Sequence, residues 1–198
     1  METNGKPEDL KFTCGLDLSS SKFGCTILIN GVIFECFGVK FDTKDDLYGR
    51  VEQFKEFIFE NISERYPQIK KIYVEDYLRK FTPGKSSAKS IFTLASMNNM
   101  CSYMLKSEFK IETVPVAAAT ARKMVLGTIP KNRGGKDIKE YVYDELMSQN
   151  KEAKKVIEDH VSEMKKQNKR LKKKMPDLIY DITDSMVIAL SAWKLENA

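Results

Sequence analysis

Histidine and paired cysteines are scarce in this chain of 198 residues. It has one histidine, His160, and its four cysteines show no Cys-x-x-Cys spacing. A zinc cage, a disulfide framework and catalysis by a histidine base are therefore poorly supported. If the protein is an enzyme, its carboxylates must carry the chemistry.

Long apolar runs are also absent. No stretch approaches the roughly 20 apolar residues that cross a bilayer. The first eleven residues, METNGKPEDLK, lack the apolar core of a signal peptide. We therefore expect an intracellular, soluble protein with no membrane partner, in the cytoplasm of a prokaryote or of an infected host cell. The length and a hydrophobic content of 42% predict one domain over 11–198 after a tail at 1–10.

Positive charge is concentrated in one segment. Residues 151–175 hold ten basic and four acidic residues, a net charge of +6, whereas the whole chain carries +5. Such a run is either a solvated helix or mobile arm, or a surface that binds a polyanion. We interpret residues 150–176 as a lysine-rich insertion within the domain, helical or mobile.

The apolar pattern predicts an α/β fold. Strands are expected at 11–18, 22–30, 32–40, 69–76 and 110–116. Helices are expected at 44–65, 87–106, 117–127, 138–147 and 181–195. The inward-facing residues of the second helix should be Ile91, Phe92, Ala95, Cys101, Met104 and Leu105. Pro176 should break the basic segment before the last helix. Asn30-Gly31, between two apolar runs, predicts a two-residue hairpin turn. A three-strand meander followed by parallel crossovers implies a mixed central sheet with helices packed on its faces.

Four acidic residues occupy unusual positions in this pattern. Asp17 lies inside the first strand, where a charge is costly and aspartate is rare. Glu75 ends the fourth strand, and Asp181 and Asp184 share one face of the last helix. If the first and fourth strands are neighbours and the last helix crosses them, the four carboxylates converge. Cations must then offset their repulsion, and oxygen ligands of this kind suit Mg²⁺ or Mn²⁺.

Each of these acids also has an ordinary explanation. Asp181 can cap the last helix, and Asp184 can be an acid in its first turn, where the helix dipole favours negative charge. Glu75 can be a surface residue at a strand end. The metal-site interpretation depends on the four positions taken together.

Several motifs together resemble the RuvC family of Holliday-junction resolvases, within the RNase H-like nuclease superfamily. They are GLDLSSSKFG, IYVEDY, DITDSMVIAL, with Ser185 where alanine is usual, and ARKMVLGTIPKNRGGKDIKEYV. The resemblance runs from about residue 12 to residue 193. Its divergence and lysine-rich composition would suit a viral or mobile-element version.

The resemblance implies an RNase H-like α/β fold and a homodimer that resolves four-way junctions by paired, symmetric nicks in branched DNA. Asp17, Glu75, Asp181 and Asp184 would be catalytic ligands of two Mg²⁺ ions, with Mn²⁺ as a substitute, and Lys136 would also be catalytic. Lys123 and Lys136 fall where the family has lysines that contact DNA near the scissile phosphate. We expect further basic side chains to bind the phosphates of the DNA arms. These are Lys85, Lys89, Arg133, Lys165, Lys166, Lys169, Arg170, Lys172, Lys173 and Lys174.

The sequence departs from the family at one functional position. Many members place an aromatic residue three positions after the second acid, against bases at the junction centre, and Leu78 occupies that position here. Tyr77 and Phe81 are the nearby candidates for opening the junction. The substitution makes a broader nuclease, acting on branched DNA or RNA–DNA hybrids, the main alternative.

Two further alternatives change the class of protein. GLDLSSSKFGCTIL also resembles the phosphate loop of actin-like ATPases and sugar kinases, but those proteins need two such lobes and a glycine-rich adenosine motif, and neither is visible here. A catalytically inactive DNA-binding module would use only the basic segment. Retention of all four acids argues against it.

Overall fold

The computed structural model describes residues 10–42, 44–76, 87–167 and 177–198, with side chains in the third range as far as residue 162. Its strands are β1 (Phe12–Leu18), β2 (Lys22–Ile29), β3 (Val32–Lys40), β4 (Lys71–Glu75) and β5 (Glu112–Val116). Its helices are α1 (Leu47–Ile58), α2 (Ala88–Glu108), α3 (Ala118–Leu126), α4 (Ile138–Gln149), α5 (Lys151–Gln167) and α6 (Asp177–Glu196). A π-helical turn, Phe59–Ser63, continues α1.

The strands form one mixed sheet in the order β3-β2-β1-β4-β5. β1, β2 and β3 are an antiparallel meander, whereas β4 runs parallel to both β1 and β5. In the parallel register Leu16 lies opposite Val74. The first and fourth strands are therefore neighbours, the condition on which convergence of the four acids depends, and the carboxyl ends of β1 and β4 lie at the same edge of the sheet.

Local sequence explains where turns and helices begin. Asn30 and Gly31 both have positive φ angles, 52° and 80°, as a two-residue hairpin turn of this type requires, so the predicted turn is confirmed. Asp137 caps α4 by accepting a hydrogen bond from the Glu140 amide, and the Glu140 side chain accepts one from the Asp137 amide. This capping box determines where α4 starts and therefore which of its side chains face the protein.

Helices cover both faces of the sheet, as the sequence predicted. α1 and α2 pack on one face, in a core centred on Phe23, Phe54 and Met97. α3, α4, α5 and α6 pack on the other face, around residues such as Leu146, Ile157 and Met186. None of the helices within the described ranges combines the length and the apolar character needed to span a bilayer.

Two expectations about helices are wrong. α6 begins at Asp177 rather than near 181, so Asp181 and Asp184 lie inside the helix, each only 3% exposed. The explanation of these residues as a cap and a first-turn acid therefore fails. Phe92 was expected to face inward but is 74% exposed. The buried face of α2 instead follows Met97 and Cys101, which the helical period places on the opposite side from Phe92.

The lysine-rich insertion falls partly within the described residues. α5 covers 151–167, and its Ala153 and Ile157 are buried in the second core. Residues 151–167 are thus helical, and the first turns of this helix pack on the second core. Residues 168–176, including the helix break predicted at Pro176, lie outside the described residues.

Candidate metal and DNA-cleavage site

Two of the acids lie at the shared edge of β1 and β4. Asp17 is the last residue but one of β1, and Glu75 is the last residue of β4. Because these strands are parallel neighbours, both carboxylates leave the sheet at the same end. The Asp17 side chain is buried, and that of Glu75 is partly buried.

Close contact between α6 and the sheet brings in the other two acids. A Cβ atom on Gly24 would lie 2.2 Å from the Asp181 carbonyl oxygen, and one on Gly15 would lie 2.5 Å from that of Ser185. Only glycine lets the α6 backbone approach so closely. A 2.7 Å hydrogen bond between the buried Thr26 and Ser185 hydroxyls joins β2 to α6 at the same level. These contacts hold α6 so that its acids face β1.

The structure brings three of the four predicted acids into one group. Asp17, Glu75 and Asp184 each offer a carboxylate oxygen, and these oxygens all lie within 4.8 Å of one another. Asp181 lies beside this group. Its Oδ1 and Oδ2 atoms form ion pairs with Lys139, at 2.9 Å, and Lys22, at 2.6 Å.

Burial and mutual repulsion make these carboxyl groups unusual. Burial raises the pKa of Asp17 well above its usual range, and the neighbouring Glu75 and Asp184 carboxylates raise it further. Burial also raises the pKa of Glu75, as does Asp184, although a hydrogen bond with Asp17 acts in the opposite direction. The group therefore favours any cation that can enter it.

The donor set fits a hard divalent cation. Asp184 Oδ2 is buried and has no hydrogen-bond partner among the described residues, which is costly for a carboxylate oxygen unless a cation compensates it. Carboxylate oxygens are the ligands that Mg²⁺ and Mn²⁺ prefer. Asp17, Glu75 and Asp184 could therefore hold such an ion, with Asp181 available beside them.

Three basic residues that the sequence analysis did not select lie at the site. Lys139 and Lys22 pair with Asp181, and Arg122 Nη2 donates a 2.8 Å hydrogen bond to Asp184 Oδ1. Burial acts to lower the pKa of Arg122, but Asp184 and the other carboxylates outweigh that effect and raise it. One signal for Lys139 was present in the sequence, since it precedes the apolar Val142 and Leu146 at helical spacing and so shares their inward face.

The basic residues that the sequence did select lie elsewhere or are not described. Lys89 and Lys123 are exposed on α2 and α3, and Arg133 donates to the carbonyls of its own loop. Lys136 pairs with the exposed Asp144 at 2.5 Å, so its predicted catalytic role stays a prediction. Lys165 and Lys166 lie on α5, where only the backbone is described. Tyr77, Phe81, Lys85, Lys169, Arg170, Lys172, Lys173 and Lys174 lie outside the described residues.

The fold can be compared with solved structures. RuvC from Thermus thermophilus is 13% identical, with a TM-score of 0.55 over 94% of this chain and 96% of that one. T. thermophilus RuvC in complex with a Holliday junction substrate is 12% identical, with a TM-score of 0.58 over the same shares. The chain has the fold of the RuvC resolvases.

The chain is also similar to the crystal structure of the yeast mitochondrial Holliday junction resolvase Ydc2. Ydc2 is 12% identical, with a TM-score of 0.51 over 93% of this chain and 78% of that one. No protein-family model matches the sequence, and no curated protein matches it. The predicted RNase H-like α/β fold and the resemblance to RuvC are thus confirmed by structure, and the function must be argued from the site.

Proposed function

We propose that the protein is a metal-dependent DNA endonuclease that resolves four-way junctions. The observation that carries this proposal is the meeting of Asp17, Glu75 and Asp184, from three separate elements, within 4.8 Å on a RuvC-like fold. A cluster of buried acids costs stability, and such clusters are concentrated at functional sites.

The residues of the site would have distinct roles in metal binding, in orienting the acids and in contacting phosphate. Asp17, Glu75 and Asp184 would hold one Mg²⁺ ion, and Asp181 would join Asp17 and Asp184 around a second. Such ions activate a water molecule and stabilise the oxygen that leaves the phosphodiester. Arg122 orients Asp184 through its hydrogen bond to Oδ1, and Lys123 and Lys136 would contact phosphates beside the cleaved bond.

A nucleic acid is the proposed substrate because several exposed or partly exposed basic residues lie on the elements that follow β4 and β5 in the chain. These residues are Lys89 on α2, which follows β4, Lys123 on α3, which follows β5, and Arg133 in the loop between α3 and α4. The lysine-rich insertion would extend the contact to the DNA arms through backbone phosphates. The T. thermophilus RuvC structure with a Holliday junction supports branched DNA over linear duplex.

Paired nicks need two sites, and we propose a homodimer that uses α2. Phe92 and Tyr103 on this helix are 74% and 75% exposed. They are eleven residues apart, so they project from the same face of the helix. An exposed aromatic pair on one helix face is typical of a surface that a partner covers.

One observation favours a second candidate, a broader nuclease with the same metal site. Leu78 stands where RuvC proteins often have the aromatic residue that opens the junction. Without that device, the enzyme would cut several branched forms or RNA–DNA hybrids.

A cleavage assay in Mg²⁺ decides between the candidates. The purified protein would be incubated separately with a labelled four-way junction, a matched linear duplex and an RNA–DNA hybrid. Symmetric nicks confined to the junction would support the resolvase, and cutting of the hybrid or of every branched form would support the broader nuclease. No cutting in either Mg²⁺ or Mn²⁺ would refute both.

A further inference from the structure

A single lysine ammonium group contacts three of the four acids. Lys139 Nζ lies 2.9 Å from Asp181 Oδ1, 3.5 Å from Asp184 Oδ2 and 3.9 Å from Asp17 Oδ2. Its charge therefore lies within the carboxylate cluster. Asp184 Oδ2, the buried oxygen without a hydrogen-bond partner in the described part of the chain, has this ammonium group as a close cation.

The fold holds the Lys139 backbone firmly but leaves its side chain room to move. α4 packs on α6 through Val142 and Leu146, each 1% exposed, so the helix cannot shift easily. The Lys139 side chain is nevertheless 41% exposed. A lysine side chain has four rotatable carbon–carbon bonds, so its ammonium group can leave the carboxylates without any change in the fold.

We propose that Lys139 is an internal cation that neutralises the metal-free carboxylate cluster and must leave it before a second divalent ion can bind. The first ion would enter among Asp17, Glu75 and Asp184. A second ion needs Asp181, whose two oxygens are already paired with Lys139 and Lys22. This inference rests on the proposed metal-dependent function.

The physical basis is repulsion between like charges. An ammonium group that contacts Asp17, Asp181 and Asp184 would lie within a few ångströms of an ion held by the same residues. At that separation the repulsion is large compared with the free energy of a tenfold change in affinity. Lys139 should therefore weaken the second site most, because only that site uses Asp181, the acid that Lys139 contacts most closely, and two classes of metal affinity should result.

The first test is Mn²⁺ binding by calorimetry to the full-length protein. Lys139→Met should bind the weaker Mn²⁺ ion at least about tenfold more tightly than the wild type. Lys139→Arg, which keeps the charge, should bind it as weakly as the wild type. Lys55→Met is the matched control, because Lys55 is also ion-paired and 35% exposed but lies on α1, across the sheet. An unchanged affinity in Lys139→Met would overturn the proposal.

The second test uses the wild-type protein and so does not depend on a variant that folds. Lysine acetylation would be followed at each site by mass spectrometry with and without saturating Mn²⁺. The reactivity of Lys139 relative to Lys55 should rise at least about threefold when Mn²⁺ is bound, because an ammonium group that has left the carboxylates is more accessible to the reagent. Equal relative reactivity in both conditions would refute the release of Lys139.

These results are independent of the proposed nuclease activity. If the protein binds Mn²⁺ as described but cuts no nucleic acid, the nuclease proposal fails and the inference about Lys139 stands. If the wild type cuts junctions but Lys139→Met binds Mn²⁺ no more tightly, the nuclease proposal stands and the inference fails.

Discussion

Asp17→Asn should abolish cleavage and at the same time stabilise the metal-free protein. The substitution keeps the size of the side chain and removes one buried negative charge. Burial and the carboxylates of Glu75 and Asp184 disfavour that charge more than Lys139, 3.9 Å away, favours it, which is why the pKa of Asp17 is raised. Lys139 also keeps Asp181 and Asp184 as partners in the variant.

The expected increase in stability follows from removal of this unfavourable buried charge. Optimising a single unfavourable charge typically stabilises a protein by about 0.5–2 kcal/mol. For a chain of this size that corresponds to a rise in Tm of about 1–8 °C. Mn²⁺ should raise the Tm of the wild type but have much less effect on the variant, because a ligand stabilises only a folded state that binds it.

The pH dependence gives the prediction a distinct signature. A carboxyl group with a raised pKa in the folded protein contributes stability while it is protonated, fully below the unfolded pKa of about 3.9. That contribution is lost as the pH rises through the folded pKa of Asp17. The stability difference between Asp17→Asn and wild type should therefore be smallest near pH 4 and grow to a plateau at higher pH.

Thermal unfolding in chelator, at several pH values, measures all three effects. Asp144→Asn is the control, since Asp144 is an exposed acid paired with Lys136, and it should change stability by less than about 0.5 kcal/mol. A lower Tm for metal-free Asp17→Asn would mean that Asp17 is a structural ion-pair partner of Lys139. That outcome would refute the reasoning for a metal site.

Three other perturbations test separate parts of the structure. Ser185→Ala should lower the free energy of unfolding in urea by about 1–3 kcal/mol, because it leaves the buried Thr26 hydroxyl unpaired. Adding Thr26→Val should recover much of that stability, and additive losses in the double variant would contradict the coupling. Phe92→Ser should shift a dimer toward monomer in sedimentation at fixed concentration, and an unchanged mass would remove α2 as the interface. Replacing the five basic residues of 169–174 by glutamine should lower the slope of log Kd against log salt by up to about 4 to 5 for junction DNA, and an identical slope would exclude their phosphate contacts.

Much of the fold could be predicted because its signals are local. The alternation of apolar residues predicted the strands, and Asn30-Gly31 predicted the hairpin because few other dipeptides adopt positive φ at both positions. Asp17 was conspicuous because a charge inside an apolar strand needs an explanation. Helix boundaries were predicted less well, as the start of α6 at Asp177 illustrates, because they depend on packing beyond the helix itself.

The sequence by itself determined which elements form and the order in which the four acids follow one another along the chain. Only the tertiary structure decided which cations meet them. Lys136 and Lys139 are only three residues apart, and composition does not distinguish a lysine that pairs with a buried acid from one on the surface. The capping box at Asp137 and the packing of Val142 on α6 determine the rotation of α4, and that rotation directs Lys139 to the carboxylates while Lys136 pairs with Asp144. Helical spacing puts Lys139 on the inward face of α4, but the acids that it meets there are set by contacts between residues distant in sequence.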